Sequence, residues 1–290
     1  MRRASKGGDV VKPDHSMGRG LGRVGIVMMT AACFLLSLVV SPAPASDRVA
    51  VSEDVCFALP QRDLEANSCP GVRPGGIVRT PHSSYCTMNF VFKDRRGNRY
   101  IGTAGHCVID PSASETWVKG SGPIASDFDG KRIGEFVFAH VIEAGGRPVH
   151  DFALARLDPG VPVDPEMCAF AGPVGINSDT AELAPTALNF YGHGQGISEA
   201  APARSAVANG TPNKRTLYAF GPGMLGDSGS GVLDDRGRAV GIISTIGFMS
   251  DPGYASNAHF GTIGIMRVKP QMRMAERALG IDLELETISP

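Results

Sequence analysis

The sequence predicts an all-β, two-lobed fold with one helix near its C-terminus, and three observations carry that expectation. Gly (37) and Pro (21) are generous among 290 residues, a balance that favours short strands joined by tight turns over a helical bundle. From Tyr85 onward, short β-type runs alternate with turn residues. Only Gln271 to Leu279 has helical periodicity, with Met272, Ala275 and Leu279 on one face and Gly280 as its stop.

The elements follow in order. Residues 46–82 read as an irregular lead-in, or a short propeptide, broken by Pro60, Pro70, Pro74 and Pro81. Tyr85 to Phe92, the turn Asp94-Arg-Arg-Gly-Asn98 and Arg99 to Thr103 form a hairpin. Arg132 to Val141, Asp151 to Leu157, Ala187 to Tyr191 and Arg215 to Phe220 are further strands. Gly231 to Thr245 reads as a second hairpin, turning at Asp235-Arg-Gly-Arg238. The Pro-rich stretch 159–173 connects two β-halves, so residues 83–290 form one domain of two lobes.

Composition narrows the function classes. There are 28 Lys+Arg and 29 Asp+Glu, 20% charged and 42% hydrophobic residues, and no like-charge block. A disordered chain and a polybasic nucleic-acid binder are both disfavoured. Val24 to Val40 is an uncharged run, preceded by Arg19 and Arg23 and followed by Ser41-Pro-Ala-Pro-Ala45. Basic, apolar and small-residue regions in this order describe a secretory signal peptide over residues 1–45. The alternative is an uncleaved membrane anchor facing outside, because a run of this length just spans a bilayer.

Five cysteines follow: Cys56, Cys69, Cys86, Cys107 and Cys168. In an exported chain they read first as disulfide partners, and no spacing suggests a structural metal site.

Three segments carry chemistry: Thr103-Ala-Gly-His-Cys107, His150-Asp-Phe-Ala-Leu154 and Gly226-Asp-Ser-Gly-Ser230. A serine hydroxyl is a weak nucleophile, so Ser228 needs His106 to take its proton as it attacks a carbonyl. Asp151 would hold the other imidazole nitrogen and stabilise the imidazolium. Asp158 and Asp164 lie close, but Asp158 precedes Pro-Gly as a turn, whereas an apolar strand follows Asp151. Gly226 lets the backbone approach closely, so that the N–H groups of Gly226 and Ser228 converge on a developing oxyanion.

With these motifs in the order His, Asp, Ser, the chain resembles the trypsin/chymotrypsin-like serine proteases, nearest the bacterial secreted branch of streptogrisin-like and glutamyl-endopeptidase-like enzymes. The resemblance spans roughly Tyr85 to Gly280. It implies two antiparallel six-stranded β-barrels side by side, the triad between them, and a C-terminal helix. It also implies that Asp227 needs a buried cationic partner; no Ile-Val-Gly-Gly start lies at a suitable distance, and no internal basic residue stands out. Ser244 would support the triad aspartate, and Thr245, Ile246 and Gly247 would form the edge that pairs with substrate. Cys86 and Cys107 match the family bridge beside the catalytic histidine. Cys168 would pair with Cys69 or Cys56, the rival being a Cys56–Cys69 loop with Cys168 buried. Met224 stands where many members have a bridge cysteine.

Specificity follows from the same resemblance. Pro222 occupies the position where trypsin-like members place an acid, so a tryptic pocket is disfavoured. Ile243 stands where glutamate-specific relatives have a pocket histidine, while His193 and His259 read as surface loop residues. Ile246 would narrow the pocket towards small or medium apolar side chains. The sequence thus leads to a secreted, monomeric serine endopeptidase acting on polypeptides, with no cofactor, no metal and no nucleic-acid partner, and with membrane contact only if residues 24–40 are retained. The rivals are a catalytically silent secreted binding protein on the same scaffold and a membrane-tethered processing protease.

Overall fold

The computed structural model describes residues 69–83, 85–110, 113–143, 148–178, 186–194, 201–209, 214–247 and 261–289. The expected signal peptide or anchor, Cys56, residues 46–68 of the lead-in and His259 lie outside these. No helix among the described residues is long and apolar enough to cross a membrane.

Fifteen strands and one helix make up the described chain. They are β1 (Ile77–Val78), β2 (Cys86–Thr87), β3 (Val91–Asp94), β4 (Arg99–Thr103), β5 (Ser114–Thr116), β6 (Ile124–Ser126), β7 (Arg132–Glu143) and β8 (Pro148–Leu157). After the Pro-rich connection come β9 (Ala187–Tyr191), β10 (Ala203–Asn209), β11 (Thr216–Phe220), β12 (Gly231–Asp234), β13 (Ala239–Gly247) and β14 (Thr262–Arg267). Helix α1 (Val268–Leu279) and β15 (Leu283–Leu285) end the fold. The second lobe is a closed six-stranded barrel in the order β10-β11-β14-β13-β12-β9.

The first lobe corrects the expectation of two closed barrels. It is an open sheet in the order β15-β3-β4-β8-β7-β5, with β6 also on β7. The predicted strand Tyr85 to Phe92 splits into β2 and β3, and the reason lies in where its backbone bonds go. Met88 exchanges bonds with Gly75 and Gly76, at 2.9 and 2.7 Å, and Thr87 donates to the Ser228 carbonyl at 2.9 Å. These residues serve the incoming chain and the Ser228 loop, so they do not continue the ladder. Residues 69–82 of the lead-in pack with the domain, since β1 pairs with β2 and Val72 bridges Val163.

The two predicted hairpins turn by one shared device. Asp94 accepts the amides of Arg96 and Asn98, and Asp234 those of Arg236 and Arg238. Each turn then needs a positive φ three residues after its aspartate, met by Gly97 (79°) and Gly237 (72°). The second turn therefore starts at Asp234, one residue before its expected position. Strand β10 was not foreseen, since Ala203-Arg-Ser-Ala-Val-Ala-Asn209 has little β-branched or aromatic content.

Apolar side chains form one core in each lobe and a third at the seam. The seam joins Phe92, Phe138 and Phe152 of the open sheet to Tyr191, Leu233 and Ile242 of the barrel, with Val268, Met272 and Ala275 of α1 and Leu283 and Leu285 of β15. Gly280 ends α1 in the left-handed conformation (φ 64°, ψ 35°), so the chain turns back and β15 closes over the seam.

Phe152 is fully buried, with its ring centroid 5.9 Å from that of Phe92 and 6.5 Å from that of Phe138. Phe152→Ala should cost about 3–5 kcal/mol of unfolding free energy, read by denaturant unfolding of the disulfide-intact protein. A loss below about 1 kcal/mol would mean that the seam does not hold the lobes as described.

Candidate active site

Each of the three motif segments is placed by a different local device. His106 lies in a 3-10 turn, Gly105–Cys107, directly after β4. Gly105 is required there, since a Cβ would come within 2.5 Å of the His140 carbonyl oxygen. The Cys86–Cys107 disulfide (Cα–Cα 6.3 Å, separation 21 residues) clamps the turn to β2, and closing such a loop is worth about 3 kcal/mol in the chain-entropy view.

Asp151 sits on β8, 1% exposed, opposite Val141 of β7. Its Oδ2 receives His106 Nδ1 at 2.7 Å, and its Oδ1 receives the His106 amide at 2.9 Å. The Ser244 hydroxyl also donates to Oδ2. Ser244 reaches it from the strand face it shares with Ile242 of the seam, while the β13–β14 register shift between Ile243 and Thr245 re-phases the residues after it.

The electrostatics follow from this geometry. Burial pushes the Asp151 carboxyl up, but the charge and hydrogen bonds of His106, with those of Ser244, overcome it and hold the carboxyl below its ordinary range. Burial pushes His106 down, whereas the charge and hydrogen bond of Asp151 raise it above the ordinary 6.5 overall. An ionised Asp151 only accepts, so neutral His106 carries its proton on Nδ1 and leaves Nε2 as an acceptor.

Ser228 comes to this corner through the residue after it. Gly229, at φ 92°, leaves no room for a Cβ, which would lie 2.3 Å from Thr103 Oγ1 and 2.9 Å from the Ala104 nitrogen. The segment following Ser228 thus packs on the residues just before His106. Gly229 and Ser230 also pair with Ile243, one residue before Ser244. Strand β13 therefore sets the positions of both the Ser228 loop and the Asp151 carboxylate. The amides of Gly226 and Ser228 donate to no described residue, while that of Asp227 between them donates to Met224.

Asp227 is fully buried, and the cation that the sequence left unidentified is Arg204, 6% exposed. Its Nη1 meets Oδ2 at 2.7 Å and its Nη2 meets Oδ1 at 2.5 Å. The Gly194 amide adds a bond to Oδ1 at 2.8 Å and the Met224 amide one to Oδ2 at 2.7 Å. The remaining guanidinium donors reach the carbonyls of Pro222 (2.7 Å), Gly192 (3.1 Å) and Pro202 (3.5 Å). All five donors are placed, and the guanidinium lies 4.8 Å from the Phe190 ring centroid. Its role shows once the strand's phase is known: Arg204 is in phase with the buried Ala206 and Ala208, while Ser205 and Val207 point out.

Strand β13, which carries the anticipated substrate-contacting residues Thr245, Ile246 and Gly247, pairs through Ile243 with the segment after Ser228. Thr245, Ile246 and Gly247 pair with β14 on one edge, whereas pairing with β12 ends at Ile242. Among the described residues no strand covers their other edge. Pro222 is exposed, and a Cβ on the adjacent Gly223 would fall 2.2 Å from Ile263 Cγ2 and 2.9 Å from Ile246 Cγ2, so this wall is narrow and apolar. His193 is not the surface loop residue expected: it is partly buried, with Nε2 2.7 Å from the Gly75 carbonyl oxygen. Of the alternatives left open for Cys168, the structure has Cys69–Cys168, with Cα atoms 5.8 Å apart. Among the described residues no three His, Cys, Asp or Glu side chains converge as a metal ligand set.

No protein-family model and no curated protein matches the chain. Solved structures do resemble it. They include Cellulomonas bogoriensis chymotrypsin (18% identity, TM-score 0.47, 74% of this chain and 99% of that one). Thermobifida fusca protease A is similar at 14% identity and TM-score 0.48, over 75% of this chain and 100% of that one. Nocardiopsis protease shares 15% identity at TM-score 0.48, over 74% and 100%. The chemistry open to this chain rests on the side chains described above.

Arg204→Leu would leave the Asp227 charge buried without its cation and should cost about 3–5 kcal/mol. Arg204→Lys should fall between it and wild type, since one ammonium cannot span both carboxylate oxygens and two carbonyls. Denaturant unfolding of the three proteins checks the order; equal stabilities would contradict the role given to Arg204.

Proposed function

We propose that the protein is a secreted serine endopeptidase in which Ser228, His106 and Asp151 form the catalytic triad. The observation that carries this reading is the buried Asp151 carboxylate holding His106 at both Nδ1 and its amide, which leaves Nε2 as the acceptor nitrogen. Nε2 takes the Ser228 proton as Oγ attacks the substrate carbonyl carbon. The oxygen that gains negative charge is held by the amides of Gly226 and Ser228, which donate to no described residue. The imidazolium then gives its proton to the leaving amine, and the Ser228 ester remains. Water, deprotonated by the same nitrogen, hydrolyses the ester and restores the serine.

Asp227 and Ser244 support this set without touching substrate. Arg204 fixes Asp227, and so the turn that carries both amides; Ser244 holds Asp151. The uncovered edge at Thr245, Ile246 and Gly247 suits an extended polypeptide added as a further strand. Pro222, Gly223 and Ile246 favour a small or medium apolar side chain and offer no carboxylate to a Lys or Arg. The reading needs no cofactor or metal and takes the protein as a monomer. The rival binding scaffold rested on a missing partner for Asp227, and Arg204 removes that ground. Whether residues 24–40 tether the enzyme is read from the N-terminus of exported material, Ser46 indicating cleavage.

A fluorophosphonate probe should label the folded, disulfide-intact protein and fail to label Ser228→Ala. No labelling of folded wild type would overturn the proposal. Ester hydrolysis should follow the protonation of His106. Its folded pKa is raised, so kcat/KM climbs with pH through a midpoint above 6.5. Asp151→Asn removes the raising charge, and its midpoint should fall together with a rate loss of about 10⁴-fold. A wild-type midpoint at or below 6.5 would contradict the coupling.

A further inference from the structure

The segment 69–76 forms a strap across the molecule. Its start is bonded to the connecting segment through Cys69–Cys168. Arg73 reaches the Glu166 carbonyl at 3.1 Å from Nε and 3.0 Å from Nη2, and pairs with Asp164 at 3.0 Å. The Asp164 amide donates to Val72 at 3.1 Å, and the Cys168 amide to Pro74 at 3.1 Å. On the far side Gly75 and Gly76 pair with Met88. Gly75 itself lies against Tyr191, where a Cβ would come within 2.9 Å of Cδ1, and its φ of 93° suits glycine. Its carbonyl faces His193.

His193 is bound from two directions. Its side chain donates from Nε2 to the Gly75 carbonyl at 2.7 Å; a carbonyl only accepts, so Nε2 carries the proton. Its ring centroid is 5.5 Å from that of Tyr191. Its main chain belongs to the other partner. The His193 amide donates to Thr87 Oγ1 at 3.2 Å, and Thr87 Oγ1 in turn donates to the Gly226 carbonyl at 3.0 Å. The His193 carbonyl oxygen lies only 2.6 Å from where a Cβ on Gly226 would stand. The next residue, Gly194, donates its amide to Asp227 at 2.8 Å.

We infer that His193 is a positioning residue for the Gly226–Ser228 loop, and that the disulfide-held strap, through the Gly75 carbonyl, is what fixes it. The inference deepens the protease reading, on which its kinetic consequence rests. A loop whose two amides must point the same way needs a rigid support. Arg204 supports Asp227 from within the barrel, whereas His193 ties the adjoining 192–194 segment to a strap anchored outside it. Losing the Nε2–H bond frees that segment, so Gly194 no longer stays under Asp227 and the two amides lose their shared aim.

The test uses the full chain with both disulfides formed and two measurements. In His193→Phe, which keeps a ring but has no donor, amides of 224–229 should exchange with deuterium about tenfold faster. Fluorophosphonate labelling and kcat should each fall about tenfold with KM within about twofold, a smaller loss than deleting an oxyanion donor outright. His193→Gln, whose amide nitrogen reaches the Nε2 position, should restore both readouts to within about threefold of wild type. Unchanged exchange in a folded His193→Phe, or no recovery in His193→Gln, would overturn the inference. If wild type itself does not label, the protease reading fails, while the exchange data still decide the role of His193. Should His193→Phe not fold, Cys69→Ser/Cys168→Ser releases the strap instead. Faster exchange at 224–229 would then support the inference, and unchanged exchange would overturn it.

Discussion

A carboxylate with no access to water governs the arrangement of this molecule. Asp227 is fully buried, and an unpaired charge there would be prohibitive. Its two oxygens together accept four bonds, two from Arg204 and one each from Gly194 and Met224. Meeting that demand draws three stretches of chain to one point: β10 with its inward arginine, the segment following β9, and the turn before Ser228. The amides of Gly226 and Ser228, on either side of Asp227, donate to no described residue. The geometry proposed to stabilise an oxyanion is thus a by-product of satisfying a buried ion pair.

The second constraint is the bulge in β13. Up to it the strand alternates, with Ile243 in the barrel core and Ile242 and Ser244 directed to the seam and to Asp151; beyond it the phase changes, so that Ile246 packs on the barrel core as Ile243 does. The same strand pairs with Gly229 and Ser230, lends Ser244 to Asp151, and then continues at residues 245–247 with an edge that no described strand covers. The Ser228 loop, the Asp151 carboxylate and the edge proposed for substrate are thus tied to one strand, so their spacing does not rely on how separate loops settle. The first lobe contributes His106 by a different route, through Gly105 beneath the His140 carbonyl and a disulfide to β2.

Much of this was legible in the sequence, and what was not has identifiable causes. The hairpins were visible because each turn states its own chemistry: an aspartate, then a glycine three residues on. The helix was visible because its apolar period and Gly280 agree. His106, Asp151 and Ser228 stood out as short motifs with small neighbours. Arg204 did not, since a lone arginine among alanines becomes informative only once a strand's phase is known. Strand β10 was hidden for the same reason, as its fit comes from barrel closure and not from its residues' own preference. The strap is the irregular chain its prolines suggest, but its bonds run sideways, to Met88, Glu166 and His193, and no local pattern announces them. His193 looked like a loop histidine because its acceptor, Gly75, is over a hundred residues away.

The central claim is that these constraints assemble a nucleophile, and the acyl-enzyme tests it most directly. A slowly deacylating activated ester would be mixed with the purified, disulfide-intact protein, and intact mass followed by peptide mapping would locate any adduct. The account predicts one acyl group per chain, on the peptide bearing Ser228, and none on His106→Ala over the same interval. A folded wild-type protein that acquires no acyl group, or acquires it at another residue, would contradict it.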